Sequence, residues 1–236
     1  MTSEAADVRR PRAIVTDIEG TTSSIAFVHQ VLFPYSRARL AGYVAAHAAE
    51  AAPILDAVRA EAGREDLDVA GCIARLLEWH DADRKIGPLK ELQGLIWAQG
   101  FAEGVLKGHV YADAVAGLRR WHAGGIRLYV YSSGSVGAQK LLFGHSDFGD
   151  LTPLFAGHFD TAVGGKKEAR SYAAIAEAVG LAPGDILFLS DVGEELAAAR
   201  AAGFAVLLLA REGMAHDGAF PAVDSFDAIL PQGVAA

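Results

Sequence analysis

Ala13-Ile14-Val15-Thr16-Asp17-Ile18-Glu19-Gly20-Thr21-Thr22 is the stretch on which the reading of this chain turns. Ala13 to Thr16 is a short, apolar, partly β-branched run, the pattern of a buried strand. It ends in two carboxylates one residue apart, then a glycine and two hydroxyl residues. In an open α/β sheet, ligands bind in the crevice outside the carboxyl ends of the strands. Asp17 and Glu19 therefore stand where such a protein does its chemistry. The alternative, a surface turn that happens to hold acids, loses ground to what recurs downstream.

The chain has 236 residues, enough for a substantial core in one large domain or two modest ones. A hydrophobic content of 52% with 21% charged residues suits a compact fold and argues against disorder. No apolar run approaches the length of a membrane span; the longest, Phe204 to Ala210, fits a buried strand. The N-terminal stretch from Met1 to Arg12 is polar, so no secretory signal is expected there. The single cysteine, Cys72, cannot form an internal disulfide, which agrees with a reducing cytoplasm. No motif supports Cys72 as a nucleophile, and it reads as a small buried apolar residue. The formal net charge of −8 disfavours nucleic acid as a partner and repels a phosphorylated ligand at long range. A phosphate site here must rest on a local lysine, backbone N–H groups and a metal.

After Thr22 the strand pattern disappears. Helical patterns follow over Val28 to His47, Pro53 to Ala62, Val69 to Asp83, Lys90 to Gly100 and Asp113 to His122, punctuated by Pro53, Gly63, Gly87-Pro88 and Gly108. This block, residues 25–121, reads as a helical cap inserted over the site, with residues 1–24 and 122–236 forming the core. Phe27, Phe33, Tyr43, Trp79, Trp97 and Phe101 are assigned to its packing. His29, His47, His80 and His109 show no metal-ligand spacing and read as ordinary surface or capped histidines.

Strand-then-helix rhythm returns at Ile126 to Tyr131, which ends in Ser132-Ser133-Gly134-Ser135 before a helix from Val136 towards Phe143. Small hydroxyl residues and glycine between strand and helix make a nest of backbone donors for an anion. A third strand is expected around Phe159 to Val163, followed by Gly164-Gly165-Lys166-Lys167 and a helix from Glu168 to Val179. A lysine just after glycines can reach a phosphate as a point charge. A fourth strand, Ile186 to Leu189, ends in Ser190-Asp191-Val192-Gly193-Glu194-Glu195, and a fifth spans Ala205 to Leu209. Taken singly these polar clusters are ordinary turns and solvated charges. Together, each at the end of an apolar strand, they supply what phosphoryl transfer needs: an oxygen nucleophile, carboxylates for a hard cation, neutral donors and a cation.

The order Asp-x-Glu-Gly-Thr, strand-end serine, lysine, then Ser-Asp resembles the four signatures of the haloacid dehalogenase superfamily of phosphohydrolases. The usual first motif there is Asp-x-Asp; Glu19 in place of the second aspartate is similar to the enolase-phosphatase (acireductone synthase) branch. The likeness extends to Ile25-Ala26-Phe27-Val28, Leu32-Phe33-Pro34-Tyr35, Tyr131 to Ser135, Ala138 to His145, Gly157 to Thr161 and Leu187 to Val192. It spans most of the chain, from about Ile14 to Leu209. The resemblance implies an α/β fold with a Rossmann-like parallel sheet core and an inserted all-helical cap. It also implies a monomeric, cytoplasmic, Mg²⁺-dependent enzyme of methionine salvage. The implied substrate is a small phosphorylated diketone, 2,3-diketo-5-methylthiopentyl-1-phosphate, enolised and then dephosphorylated to an acireductone.

Roles follow residue by residue from that resemblance. Asp17 would be the nucleophile, with Glu19 as acid/base. Asp17, the Glu19 backbone carbonyl and Asp191 would hold Mg²⁺. Ser132, Ser133 and Lys166, rather than Lys167, would bind phosphate. Glu195, ahead of Glu194, would support the metal site from behind. Two rivals stay open at this level: a plain small-molecule phosphatase and a non-catalytic binding protein on the same scaffold. The set Asp17, Glu19, Ser132, Lys166 and Asp191 speaks against the binding protein, which has no need of a nucleophile; dehalogenation stands further off, since that chemistry uses no metal and does not need Asp191 as a ligand.

Overall fold

The computed structural model describes residues 10–211 and 214–230. Residues 1–9, on which the expectation of no secretory signal largely rests, lie outside the described residues. The chain divides into two compact units: residues up to Ile25 together with Gly108 onwards, and Ala26–Lys107.

The first unit is a parallel sheet of six strands, β1 (Ala13–Thr16), β2 (Arg127–Tyr131), β3 (Phe155–Phe159), β4 (Ile186–Ser190), β5 (Ala205–Leu209) and β6 (Ala222–Val223). Their order is β3-β2-β1-β4-β5-β6. The chain leaves β1 for β2 and β3 on one side, then returns to β4 on the other, so the order reverses about β1. That is the topological switch point at which doubly wound folds bind ligands. Residues at alternate positions of the adjacent strands β2, β1 and β4, Tyr129 and Tyr131, Ala13 and Val15, Ile186 and Phe188, form one core cluster with Tyr172, Ile175, Leu196 and Phe204. The period of two in these strands separates this face from the other. Helices α6 (Ala112–Ala123), α7 (Val136–Gly144), α8 (Ala169–Val179) and α9 (Gly193–Ala201) complete the unit.

The second unit is helical throughout its described elements. A single turn, α1 (Ile25–Phe27), leads through a π-helical turn at Val28–Leu32 into α2 (Phe33–Ala46), then α3 (Ala48–Ala62), α4 (Val69–Asp81) and α5 (Gly87–Ala102). Leu40, Val44, Ile54, Val58, Leu76, Leu92 and Ile96 are its buried centre. Asp68 caps α4 by accepting from the Gly71 N–H at 2.7 Å. Cys72 is fully buried there. No helix among the described residues is long and apolar enough to cross a membrane.

Several expectations need correction. The third strand ends at Phe159 instead of starting there: the Asp160 carboxylate accepts from the N–H groups of Val136 and Ala162, which turns the chain away from the sheet. The insert expected to reach residue 121 stops at Lys107. Helix α6 belongs with the sheet because Trp121 is buried, stacked on Phe226 at 5.3 Å, and its indole N–H donates to the Ile229 carbonyl. Pro53 lies inside α3, whose start is set by the break at His47 (φ −120°, ψ 44°). His80, of the two alternatives expected for it, is the capped one: it is buried, with Nε2 against the Phe33 carbonyl at 3.1 Å and the Ser36 hydroxyl at 3.4 Å.

Phe188 sits fully buried in the central strand β4, edge-on to the Tyr172 ring at 5.1 Å. Phe188→Ala should cost about 3–5 kcal/mol, the transfer term plus the cavity it leaves. Urea unfolding should show a lower midpoint at an unchanged slope. A cost under about 1 kcal/mol would mean that this face of the sheet is not close-packed.

Candidate active site

Strand register brings the polar clusters together. Thr16 pairs with Val130 of β2 and with Leu189 of β4, so all three strands finish at the same sheet edge. Adjacent strands lie about 4.8 Å apart. Asp17, Ser132 and Asp191, each one or two residues beyond these pairs, are therefore neighbours. The Asp17 N–H still donates to the Leu189 carbonyl at 2.9 Å, and the Ser132 N–H to the Phe159 carbonyl at 3.2 Å.

From Asp17 the backbone coils tightly. The N–H groups of Thr21, Thr22 and Ser23 all point at the Ile18 carbonyl, and the Thr22 hydroxyl donates to the Asp17 carbonyl at 3.1 Å. Glu19 lies in this turn, partly buried. Gly20 has φ +73°, and a Cβ there would lie 2.0 Å from Asp191 Oδ2. Only glycine permits both the conformation and so close an approach of the Asp191 carboxylate.

Lys166 bridges two acids. Its Nζ lies 2.5 Å from Asp17 Oδ1 and 2.7 Å from Glu195 Oε2, with all three side chains about nine-tenths buried. Lys167 and Glu194, the neighbours of Lys166 and Glu195, form a separate, exposed ion pair. Glu195, expected behind the metal site, is engaged by Lys166 and by the Ser190 hydroxyl at 2.9 Å. Burial opposes the Lys166 ammonium, yet the Asp17 and Glu195 carboxylates outweigh it and hold its pKa above the ordinary lysine value. Burial and the Asp17 charge push Glu195 up to about 7 and Asp191 up to about 6. Lys166 thus offsets only part of a carboxylate cluster in which Asp17 and Glu195 touch it and Asp191 lies close by, so the site is rich in negative charge.

That surplus favours a bound cation, and the oxygen donors suit a hard one. Among the described residues no group of three or more His, Cys, Asp and Glu side chains is arranged to hold a metal. A pair of carboxylates completed by substrate oxygen and water fits Mg²⁺-type binding better than a closed protein cage.

On the other side of Asp17, Ser132 is buried and its hydroxyl accepts from the Gly134 N–H at 3.2 Å, with Ser133 partly buried beside it. Ser135 caps α7 by accepting from the Ala138 N–H. The sequence reading did not single out the residues that hold this loop. The Gln139 amide, 1% exposed, donates to the carbonyls of Gly134 (2.9 Å) and Phe159 (2.8 Å). Its remaining oxygen faces His158 Nδ1 at 3.2 Å.

Two further supports were missed. The Asp191 N–H donates to the Thr21 hydroxyl at 3.1 Å, and that hydroxyl lies 3.5 Å from Asp191 Oδ1. Arg211, beyond β5, donates from Nε to the Thr21 carbonyl at 2.8 Å, pairs with Asp113 at 3.1 Å and covers the Tyr111 ring at 3.9 Å. Burial works against the Asp113 carboxylate, but the Phe226 N–H, Arg211 and the Ser225 hydroxyl hold its pKa below the ordinary value. His109 Nδ1 accepts from the Ser24 N–H at 3.1 Å, and burial lowers its pKa.

Residues 11–203 match the family model described as haloacid dehalogenase-like hydrolase. Enolase-phosphatase E1 of Azotobacter vinelandii is 59% identical over 222 residues, covering 93% of this chain and 97% of the relative. Its counterpart in Methylococcus capsulatus is 54% identical over 94% of this chain and 98% of its own. Among solved structures, the UTR4 protein of Saccharomyces cerevisiae superimposes with a TM-score of 0.79 at 35% identity, covering 92% of this chain and 99% of that one. A dehalogenase at 17% identity and a TM-score of 0.58, covering 93% and 96%, shares the fold.

A carboxyl group whose pKa is higher folded than unfolded binds its proton more tightly in the folded state. Its contribution to stability is present at low pH and lost as pH rises from the unfolded to the folded value. For Glu195 that window runs from 4.5 to about 7. Metal-free protein should therefore lose more stability between pH 5 and 7.5 than Glu195→Gln does, read from paired thermal melts. Equal slopes would place the Glu195 carboxyl outside a raised-pKa environment.

Gly20→Ala forces the Asp191 carboxylate out of its place. Calorimetric titration with a divalent cation should show affinity lowered about 10–100-fold, the usual effect of disturbing a ligand's support. Unchanged affinity would separate Asp191 from metal binding.

Proposed function

The chain belongs to the enolase-phosphatase E1 family of haloacid dehalogenase-like hydrolases, and on that premise we propose that it converts 2,3-diketo-5-methylthiopentyl-1-phosphate, through its enol phosphate, to 1,2-dihydroxy-3-keto-5-methylthiopentene and phosphate. This is a step of methionine salvage. The observation that carries the reading is the buried Asp17 carboxylate held 2.5 Å from Lys166 at the strand edge it shares with Ser132 and Asp191.

In the proposed mechanism an Asp17 carboxylate oxygen attacks phosphorus while the bond from phosphorus to the substrate oxygen breaks. Lys166 fixes the orientation of Asp17 and offsets negative charge on the phosphoryl group. Glu19 gives a proton to the departing oxygen, then takes one from the water that hydrolyses the aspartyl phosphate. Phosphate leaves and the Asp17 carboxylate is restored, so atoms and charge balance over the cycle. Ser132 and Ser133 receive the phosphate oxygens through hydroxyl and backbone donors.

The carboxylates of Asp17 and Asp191 and the Glu19 backbone carbonyl would hold one Mg²⁺. When bound, the ion supplies charge neutralisation on the phosphate and polarises the carbonyl during enolisation. Asp191, at a pKa near 6 without metal, must give up its proton to serve as a ligand. Monomeric action is part of this proposal, as the family resemblance implies. With a net charge of −8 its partner is a small molecule and not nucleic acid. Its place is the cytoplasm, in keeping with the single, free, buried Cys72.

Purified protein should release phosphate from the diketone phosphate while ultraviolet absorbance reports the enol product, and a chelator should stop release until Mg²⁺ is restored. Asp17→Asn keeps size and one oxygen but removes the nucleophile, so phosphate release should vanish. Glu19→Gln should slow release by about 10²–10⁴-fold, the usual range for general acid–base catalysis. Undiminished phosphate release from Asp17→Asn would exclude the mechanism.

A further inference from the structure

The loop that delivers Lys166 is held in an unusual way. Three consecutive backbone carbonyls, those of Gly164, Gly165 and Lys166, each accept a side-chain hydroxyl. Tyr131 donates to the Gly164 carbonyl at 3.0 Å, Ser171 to the Gly165 carbonyl at 2.8 Å, and Tyr172 to the Lys166 carbonyl at 2.6 Å. All three donor side chains are fully buried. Tyr131 is the last residue of β2, while Ser171 and Tyr172 lie in the first turn of α8. Gly164 has φ +134°, and a Cβ there would stand 2.2 Å from the Ser171 hydroxyl, so helix and loop approach as closely as glycine allows.

The donors are themselves closely packed. The Tyr172 ring packs edge-on against Tyr131 (5.5 Å), Phe188 (5.1 Å) and Phe204 (5.8 Å), which aims its hydroxyl without help from solvent. The Lys166 ammonium lies 5.8 Å from the centre of the Tyr131 ring, so that tyrosine contacts both ends of the assembly. A lysine side chain has four rotatable bonds, and two salt bridges at its tip do not by themselves determine where its backbone sits. Anchoring the carbonyls fixes the base of the side chain, and the carboxylates fix the tip.

We propose that Tyr131, Ser171 and Tyr172 form a positioning clamp for Lys166, with the Tyr172 hydroxyl on the Lys166 carbonyl as its central contact. The functional side of this inference rests on Asp17 being the nucleophile that Lys166 orients. Removing the Tyr172 hydroxyl leaves the aromatic cluster in place but frees the carbonyl to which Lys166 is anchored. The ammonium then wanders over more than one geometry against Asp17, and small misplacements of a reacting group have large kinetic effects.

The test compares wild type, Tyr172→Phe, Lys166→Met and the double variant. Tyr172→Phe should keep its far-ultraviolet circular dichroism and lower kcat for phosphate release about 10–100-fold, with KM changed less than about twofold. In the Lys166→Met background the same substitution should cause no further loss. An equal loss in both backgrounds would show a general structural effect and overturn the clamp. A second readout needs no turnover: the ¹⁵N resonance of the buried Lys166 ammonium, assigned by its absence from Lys166→Met. It should be sharp in wild type and broadened by solvent exchange in Tyr172→Phe; an unchanged line would overturn the clamp. Should Lys166→Met and Asp17→Asn both retain full phosphate release, the proposed function fails, and the resonance alone decides the positioning claim.

Discussion

A buried ammonium set between two buried carboxylates is the constraint on which this structure depends. Removing three charged groups from water is costly unless geometry and hydrogen bonds compensate. Lys166, Asp17 and Glu195 meet at 2.5 and 2.7 Å, and the Ser190 hydroxyl takes up part of the remaining capacity of Glu195. Each of the three arrives on a different segment: the end of β1, the loop after β3 and the first turn of α9. None can shift without leaving a charge unpaired in the interior, so the ends of these elements must agree to within a fraction of an ångström.

Much of the surrounding architecture serves that agreement. Parallel register about β1 aligns the strand ends, and the reversal of strand order opens the crevice above them. The turn after Asp17 is closed by convergence on the Ile18 carbonyl and tied from outside by Arg211. Gln139 ties the loop after β2 to the end of β3. Rigid support of this kind lets side chains face one another at short range before any ligand arrives.

Electrostatics at the site and over the whole molecule point in opposite directions. The chain carries a net charge of −8, and the site adds a surplus of its own, with Asp191 and Glu195 raised in pKa by burial and by Asp17. On the proposed function, attraction for a phosphorylated ligand comes from contacts that act over a few ångströms: Lys166, the donors around Ser132, and a cation that would cancel the carboxylates. Such contacts are screened little by salt because they are buried.

The polar strand ends and their order along the chain were legible from local pattern. Apolar runs ending in Asp17, Ser132 and Asp191 could be read directly, because strand periodicity and residue chemistry are properties of near neighbours. The helical character of residues 26–107 was legible for the same reason, from local periodicity and breakers. Tertiary structure alone decided the rest. The chain leaves the sheet at Asp160 because of a hydrogen bond to Val136, 24 residues away. Helix α6 joins the sheet unit because Trp121 meets Phe226 and Ile229 far along the chain. Glu195 engages Lys166, while its neighbour Glu194 faces Lys167 at the surface, a choice set by which side of α9 turns inward. Arg211 reaches Thr21 across 190 residues, and three hydroxyls from two elements close on one loop. Pairings of this kind leave no local periodicity to read, because each partner is fixed only when separate segments pack into the same space.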